Sequence, residues 1–415
     1  MEILRGAAIF GQSGGPTAVI NASAAGVFME ALNQPCITKV YGAAHGIKGI
    51  LEEKFYDMGQ ESLKELELLK NTPSSALGSV RYKLADPNVD ETDYIRLLEV
   101  FKKYNIRYFF YNGGNDSMDT CNKVSKYMQR VGYECRVIGV PKTIDNDLFG
   151  TDHCPGYGSA AKYLATSIME VYQDSHVYEK GIICVVEIMG RNAGWLTAAS
   201  ALASRMGYGP DLIYLPEVTF NKEQFIDDAV RVYYQNGGVL IAASEGIRYA
   251  DHSYVADNGY KDTFGHTQLG GVSKTLAEML RPFLNNVKVR AIEFNLLQRC
   301  AAHCASAVEI EEAFESGRTA VQKAVEGYTD YCIGFERLQD ENGGYRCGMK
   351  LIKLDEIANT EKKVPLEWIN KKGNFVTQEF IDYALPLIQG AVSQPLDDGL
   401  PRVAKLKKVP AKIIK

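Results

Sequence analysis

The sequence predicts an α/β fold with mainly parallel sheets, and three observations support this. Seven short runs of β-branched and aromatic residues have the length and composition of strands that are buried on both faces. Several of these runs lead through a turn into a helical pattern. The residues that can do chemistry follow the ends of the runs, where ligands bind in open α/β folds. The predicted strands are 6–10, 106–111, 136–140, 181–188, 211–215, 239–244 and 287–294.

Helical periodicity follows three of the predicted strands. We expect helices over residues 18–32, 118–131 and 195–206, and Gly207 is placed to end the third of them. The strand ends repeatedly carry glycine, amide and charged residues. Because carboxyl ends of parallel strands meet at one edge of a sheet, this arrangement predicts two facing sheets with a cleft between them.

Composition narrows the class of protein. The 415 residues are 46% hydrophobic and 23% charged, which is typical of a globular chain. A net charge of −5 gives no general attraction to nucleic acid or to an anionic membrane. No apolar run approaches the roughly 18 residues of a membrane span, and the N-terminus does not resemble a signal peptide. Nine cysteines without a disulfide-like spacing indicate a reducing compartment, so we expect a cytoplasmic protein.

Two glycine-rich turns are candidate phosphate sites. In the turn at 11–16, Gly14 and Gly15 allow backbone amides to approach an anion beside a helix N-terminus. The alternative is a tight strand-to-helix turn without a ligand. In the turn at 112–117, the pair Asn115 and Asp116 suits a hydrated magnesium ion that bridges phosphate oxygens. The alternative there is a helix N-cap.

The segment 141–147, with the sequence PKTIDND, is the most informative. A phosphoryl acceptor needs a base for its hydroxyl proton, and the transferring group needs a nearby cation. Asp145 is the candidate base, Lys142 the candidate cation, and Asp147 a partner that positions them. The alternative is an Asx-turn with a surface salt bridge.

Further charged residues stand at other strand ends. Arg191 lies in the glycine-containing turn 189–194, and Glu245 is placed to accept hydrogen bonds from sugar hydroxyls. Arginine forks suit phosphate monoesters. Taken singly, such charges are more often structural or solvated; together they point to a substrate with hydroxyls and phosphate. The candidate phosphate-binding arginines are Arg81, Arg290 and Arg299.

These motifs, taken in order, resemble those of the 6-phosphofructokinases. The resemblance runs from about residue 6 to 305 and implies two facing Rossmann-like α/β domains with mainly parallel sheets and an active-site cleft between them. The matching positions are Gly14–Gly15, 113–117, PKTIDND at 141–147, GYGSA at 156–160, MGR at 189–191, PE at 216–217, SEG at 244–246 and LLQR at 296–299.

The resemblance also implies a division of the chain. We expect a donor-phosphate domain over 1–157, rejoined by about 300–350, and a sugar-phosphate domain over 158–299. Residues 351–415 would form a C-terminal extension that packs on the core.

Roles follow from the matching positions. Asp145 resembles the acceptor of the proton from the sugar 1-hydroxyl, and Arg290 an arginine that reaches the 6-phosphate from a neighbouring subunit. A homodimer or homotetramer with sites completed across the interface is therefore expected. Gly14 resembles a contact of the donor phosphate. Neighbours of the base and contacts of fructose 6-phosphate are expected at Thr143, Asp147, Met189, Gly190, Arg191, Glu245 and Arg299.

The resemblance extends to the donor. Asp116 and Lys142 are typical of the members that use pyrophosphate, whereas members that use ATP have glycine at the first position. The implied reaction is reversible, magnesium-dependent transfer from pyrophosphate to fructose 6-phosphate in glycolysis and gluconeogenesis. An ATP-dependent enzyme and a non-catalytic sugar-phosphate-binding subunit remain alternatives. Two departures stand out: Asn115 replaces the usual aspartate, and Asn295–Leu296 replaces the usual Gly-Tyr.

Overall fold

A computed structural model describes residues 3–261, 267–284, 286–357 and 360–412. The strands are β1 (Gly6–Gln12), β2 (Ile37–Ala43), β3 (Phe55–Asp57), β4 (Ile106–Gly113), β5 (Arg136–Pro141), β6 (Ile183–Ile188), β7 (Leu212–Tyr214), β8 (Val239–Ser244), β9 (Asp257–Lys261), β10 (Thr267–Leu269), β11 (Val289–Glu293), β12 (Tyr331–Gln339), β13 (Tyr345–Lys353), β14 (Leu396–Asp397) and β15 (Leu400–Pro401).

The α-helices are α1 (Ile20–Asn33), α2 (Gly46–Leu51), α3 (Leu63–Leu68), α4 (Thr92–Lys103), α5 (Asn115–Arg130), α6 (Tyr157–Ser175), α7 (Trp195–Ala199), α8 (Lys222–Asn236), α9 (Val272–Leu280), α10 (Leu297–Cys300), α11 (Ala307–Val325), α12 (Leu354–Ile357) and α13 (Gln378–Ala384). Short 3₁₀ helices occupy Met58–Gln60, Leu69–Asn71, Ser200–Met206, Arg281–Phe283, Ala302–Cys304, Leu366–Trp368 and Leu385–Ile388.

The larger sheet has seven strands in the order β13-β12-β5-β4-β1-β2-β3. The five strands from β12 to β2 are parallel, and an antiparallel strand is added at each edge. Every residue of β1 and nearly every residue of β4 is buried, as expected of strands covered on both faces. The carboxyl ends of β1, β4 and β5 therefore lie side by side.

The smaller sheet has four strands in the order β11-β6-β8-β7, and all of its pairs are parallel. All seven predicted strands are found, so the predicted fold class is confirmed. Helix boundaries differ more: the helix expected from residue 18 begins at Ile20, and the one expected over 195–206 is α7 followed by a 3₁₀ helix. The sequence prediction missed both antiparallel edge strands.

Two helices pack unusually closely on the larger sheet. A Cβ on Gly26 of α1 would lie 2.0 Å from the carbonyl oxygen of Phe314, and one on Gly317 of α11 would lie 2.1 Å from that of Ser23. No side chain fits at either crossing point. The two glycines are therefore required for the contact between α1 and α11.

The N-terminus of α6 is held by a carboxylate from α11. Glu309 is fully buried and accepts hydrogen bonds from the backbone amides of Gly156 (2.9 Å), Gly158 (2.6 Å) and Ser159 (2.8 Å). A negative charge is favoured at this end of a helix. The GYGSA motif is thus an internally satisfied helix start, and Gly156 in turn pairs with Thr143 in a parallel bridge.

The residues that follow β13 pack against both sheets. Val364, Phe380 and Leu387 belong to the hydrophobic core around the smaller sheet. The last described residues follow the edge of the larger sheet, where Tyr56 of β3 bridges to Pro410. The larger sheet draws on residues 6–141 and 331–353 and the smaller on 183–293, while the division into domains stays a prediction.

Two further findings bear on the class of protein. Among the described helices, none is both long and apolar enough to cross a membrane. All nine cysteines are free, and five of them are buried.

Candidate active site

The PKTIDND loop begins where β5 ends, at the carboxyl edge of the larger sheet. Lys142 is buried, and its Nζ donates a hydrogen bond to the carbonyl oxygen of Gly15, 2.7 Å away. The loop thus contacts the glycine turn that follows β1. The two motifs lie together because β1 and β5 flank β4 in the sheet.

Asp145 is held by the loop itself. Its backbone amide donates to Oγ1 of Thr143 at 3.1 Å, and the same hydroxyl donates to Oδ2 of Asp145 at 3.4 Å. Burial raises the pKa of Asp145, whereas Lys142, Thr143 and Arg191 act in the opposite direction. The carboxylate therefore lies within the fields of a lysine from one side of the cleft and an arginine from the other.

Three cations surround the glycine turn at 14–15. The pKa of Lys142 is lowered to about 8, chiefly by burial; Asp145 opposes this shift, whereas Arg299 and Arg81 contribute to it. Burial also lowers the pKa of Arg299, and Arg81 adds to this. A Cβ on Gly15 would lie 2.7 Å from Nη1 of Arg299, so the guanidinium packs against the turn. Like charges held this close favour a bound anion between them.

The backbone groups of Gly14 in this turn are hydrogen-bonded within the chain. The backbone amide of Gly14 donates to the carbonyl oxygen of Val80 at 3.3 Å, and its carbonyl accepts a hydrogen bond from Oγ of Ser79 at 2.6 Å. The following helix begins only at Ile20. The Gly14 amide is therefore paired within the chain, and its contact with a donor phosphate stays a prediction.

The candidate metal residue lies at the start of α5. The side-chain amide of Asn115 donates to Oδ2 of Asp147 at 3.1 Å. Its Oδ1 is buried and has no hydrogen-bond partner in the part of the chain that the structure describes. Burial, with help from Asp145 and Glu361, raises the pKa of Asp147 to about 7. Asp116, next along, lies exposed in the first turn of the helix.

The acceptor side of the cleft is built at the ends of β6 and β8. Oε1 of Glu245 accepts a hydrogen bond from the amide of Gly190 at 3.3 Å, and burial raises the pKa of Glu245 to about 7. Gly190 has a φ of 144° and a Cβ there would meet the carbonyl oxygen of Ala193 at 2.7 Å, so this position requires glycine. Nε of Arg191 is buried without a hydrogen-bond partner among the described residues.

A cavity of about 630 Å³ opens beside these residues. Lys142 and Asp145 lie outside its lining, so the cavity lies on the side of the cleft where Met189 and Glu245 are expected to contact the sugar. The lining is strongly acidic, with a single lysine among its described charges. It consists of Glu187, Met189, Glu245, Val255, Ala256, Asp257, Leu269, Gly270, Gly271, Lys274, Thr275, Glu293, Asn295 and Gln298.

Arg290 is not with the other site residues of its own chain. It pairs in register with Cys184, near the start of β6, whereas Met189 follows the end of that strand. At roughly 3.3 Å per residue the two positions are about 16 Å apart. Arg290 instead makes a 2.8 Å ion pair with Asp174.

Three site residues were missed by the sequence prediction. Gln298 is buried, and its Oε1 accepts a hydrogen bond from the amide of Met189 at 3.1 Å. The only available signal was its place within the LLQR motif. Glu361 lies beside the PKTIDND loop, residues 141–147, which we call the reaction loop, through a bridge to Leu148 just after it. The amide of Lys362 donates to the carbonyl oxygen of Asp147 at 2.7 Å. No motif marks these last two.

Comparison with known proteins agrees with this geometry. The family model described as Phosphofructokinase matches residues 7–322. A pyrophosphate–fructose 6-phosphate 1-phosphotransferase of Halomonas elongata is 44% identical over 97% of this chain and 96% of its own length. The enzyme of the same name from Methylococcus capsulatus is 42% identical over 97% of this chain and 96% of its own length.

A solved structure is similar over nearly the whole chain. The pyrophosphate-dependent phosphofructokinase of Marinobacter aquaeolei superposes with a TM-score of 0.87 at 41% identity, covering 98% of this chain and 97% of the other. Sequence and fold therefore indicate the same family. The chain belongs to the phosphofructokinase family.

Proposed function

We propose that this protein transfers a phosphoryl group from inorganic pyrophosphate to the 1-hydroxyl of fructose 6-phosphate. The products are fructose 1,6-bisphosphate and phosphate, and the reaction is reversible because no nucleotide is consumed. The observation that carries the proposal is Asp145, a partly buried carboxylate influenced by Lys142 on the donor side and by Arg191 on the acceptor side. The names of the near full-length relatives support the same reaction.

Asp145 is the group that accepts the proton of the acceptor hydroxyl. Burial raises the pKa of Asp145, and the charges of Lys142 and Arg191 oppose this rise and favour the carboxylate form. The hydrogen bond from its own amide to Thr143 fixes the loop around it. A base that is held in place in this way contributes typically 10²–10⁴-fold to a rate.

The donor side supplies charge. Lys142, Arg299 and Arg81 surround the turn that contains Gly14, and negative charge on the transferring group develops where these cations are already in place. Asp116 accounts for donor choice: a carboxylate at this position repels the additional phosphate of a nucleotide.

The acceptor side recognises the sugar. The carboxylate of Glu245 accepts hydrogen bonds from sugar hydroxyls. Nε of Arg191, which no described residue bonds, donates to the sugar phosphate. Met189 and Gly190 fix the distance between the strand end and the sugar.

Magnesium is the proposed metal cofactor. Oδ1 of Asn115 is buried and is bonded by no residue that the structure describes, and the Asp147 carboxylate is hydrogen-bonded to the same side chain. Together they offer the oxygen ligands that this ion prefers. When bound, magnesium would neutralise charge on the donor phosphates.

A homodimer or homotetramer is proposed because the described lining of the acceptor cavity holds only one cation. Its lining has four carboxylates and one lysine, Lys274, which is a poor match for a 6-phosphate. Arg290 lies on another face, close to exposed apolar side chains at Val177 and Tyr178. Arg290 delivered across an interface between two copies would supply the missing charge.

A cytoplasmic location and a role in glycolysis and gluconeogenesis complete the proposal. Nine free cysteines, five of them buried, are typical of a reducing compartment. The acidic net charge of −5 is consistent with small-molecule substrates and with the absence of nucleic acid or membrane partners.

The decisive experiment compares donors. Purified protein with magnesium and saturating fructose 6-phosphate should form fructose 1,6-bisphosphate with pyrophosphate and not with ATP. Turnover with ATP alone would refute the donor assignment and favour an ATP-dependent enzyme. Binding of fructose 6-phosphate without turnover with either donor would identify a non-catalytic sugar-phosphate-binding subunit.

A further inference from the structure

A short segment beyond the family match crosses the cleft. We call residues 360–364 the cleft bridge; they lie outside the matched residues 7–322. On the donor side, the bridge pairs with the strand-like end of the reaction loop. Glu361 forms an antiparallel bridge with Leu148, and the amide of Lys362 donates to the carbonyl oxygen of Asp147 at 2.7 Å. The backbone of the reaction loop, which carries Asp145 and Asp147, is therefore held by a segment from the C-terminal part of the chain.

On the acceptor side, the same segment holds the loop that follows Arg191. Oε1 of Glu361 accepts a hydrogen bond from Nδ2 of Asn192 at 2.9 Å. The carbonyl of Lys362 accepts one from Nε1 of Trp195 at 2.9 Å. Asn192 is also restrained by Arg248, whose Nη2 donates to its Oδ1 at 3.0 Å. The side chain next to Arg191 is thus fixed by partners on both of its polar atoms.

Two partly buried charges secure the bridge between these contacts. Nζ of Lys362 donates to the carbonyl oxygens of Asp152 at 2.7 Å and Thr151 at 3.2 Å. Oε1 of Glu217, from the PE motif, accepts from the amides of Val364 at 3.0 Å and Gly194 at 2.8 Å. The bridge consequently contacts both walls of the cleft through several independent hydrogen bonds.

Phosphoryl transfer requires the loop that carries Asp145 and the loop that carries Arg191 to be correctly positioned relative to each other. Asp145 stands on one loop and Arg191 on the other, and a misplacement of about 1 Å between reacting groups can cost on the order of 10²-fold in rate. Glu361 is the one bridge residue whose side chain reaches the arginine loop while its backbone pairs with the aspartate loop.

We propose that Glu361 is a positioning residue that sets the sugar-binding Arg191 loop relative to the base Asp145. The proposal rests on the proposed function, because it concerns the acceptor bound between these loops. Glu361 acts through Asn192 and touches no reacting atom. Its removal should therefore impair the alignment of a bound acceptor without affecting the donor cations.

The first test is Glu361→Ala. We expect kcat to fall about 10-fold to 100-fold, with a smaller rise in KM for fructose 6-phosphate and an unchanged KM for pyrophosphate. Melting temperature should remain near that of the unmodified protein, because several backbone contacts of the bridge persist. The matched control is Glu367→Ala, an exposed carboxylate a few residues along, which should leave all three constants unchanged.

A charge-swap series separates positioning from general structural support. Glu361→Gln retains an acceptor for Asn192 and should keep most of the activity. Asn192→Asp removes the donor and opposes two carboxylates, so it should lose activity as Glu361→Ala does. The double variant restores a hydrogen bond with reversed polarity, because the introduced amide can donate to the introduced carboxylate. It should regain at least half of the lost kcat on a logarithmic scale.

Two results would overturn the proposal. One is an unchanged kcat in Glu361→Ala; the other is a double variant no more active than Asn192→Asp at equal melting temperature. A failure of the donor assignment would be visible separately, as an unmodified protein inactive with pyrophosphate. The series can then be run with ATP, since Glu361 acts on the acceptor side.

Discussion

Asn115 and Asp147 are joined by a 3.1 Å hydrogen bond in which the amide donates to the carboxylate. This contact ties the start of α5 to the reaction loop and turns Oδ1 of Asn115 towards a position where no described group bonds it. The residue that departs from the usual family pattern is therefore not merely a neutral replacement. An aspartate there could not donate to Asp147 and would instead repel it.

We predict that Asn115→Asp tightens magnesium binding. The added carboxylate contributes formal charge to the oxygen ligands, so the magnesium concentration for half-maximal activity should fall several-fold. The second carboxylate near Asp147 should also lower stability in metal-free buffer by about 1 kcal/mol. Magnesium titrations of activity and of melting temperature measure both effects. An unchanged half-saturation would mean that the ion binds elsewhere.

Asp145→Asn should separate binding from turnover. Loss of a general base should lower kcat by on the order of 10² or more, while calorimetry should still show fructose 6-phosphate binding close to that of the unmodified protein. Glu99→Gln, an exposed change on α4, serves as the control. Retained turnover would show that another group removes the proton.

Substitutions at Asp116 should alter donor preference. Asp116→Gly removes both bulk and charge, and we expect measurable ATP-dependent turnover with a loss of pyrophosphate efficiency. Asp116→Asn keeps the size and removes the charge, so a comparison of the two variants assigns the effect to one or the other. Ratios of kcat/KM for the two donors are the measurement. Ratios equal to that of the unmodified protein in both variants would refute a role for this residue.

Deprotonation of Lys142 should lower the activity at alkaline pH. Burial lowers its pKa to about 8. Because the cationic form is the active one, kcat/KM should decline as the pH rises through that value. Lys142→Arg keeps a charge far above this range and should move the decline to higher pH, even if its maximal rate is lower. A profile that is flat to pH 10 in the unmodified protein would contradict this.

Glu309 should matter for stability and not for chemistry. Glu309→Ala leaves three buried amides of the α6 N-terminus without an acceptor, which should reduce the free energy of unfolding by about 3 kcal/mol or more. Glu309→Gln retains acceptor oxygen and should cost less. Denaturant unfolding measures both. Equal losses for the two variants would indicate that charge, and not acceptor geometry, governs this site.

Much of the site could be predicted from the sequence, because its residues follow strands whose burial pattern is clear. Asp145 and Lys142 follow β5 directly, and Glu245 follows β8. Because each residue directly follows a buried strand, the sequence alone places it at the carboxyl edge of a sheet.

Other contacts carry no local pattern. Asn192 and Glu361 are 169 positions apart, and the residues around Glu361 form no regular helix or strand. The hydrogen bond from the Gly14 amide to the Val80 carbonyl likewise depends on a loop that is distant in the sequence. Such pairings arise from tertiary packing, which neither periodicity nor motif spacing encodes.

The edges of the larger sheet have a consequence for synthesis of the chain. One edge is completed by β12 and β13, and the other is covered by Pro410 against β3. Both coverings come from roughly the last fifth of the sequence, so the outer edges of β5 and β3 would be unpaired while the first 330 residues leave the ribosome. Open strand edges template association between chains. A nascent or truncated chain should therefore depend on chaperones until its final residues are released.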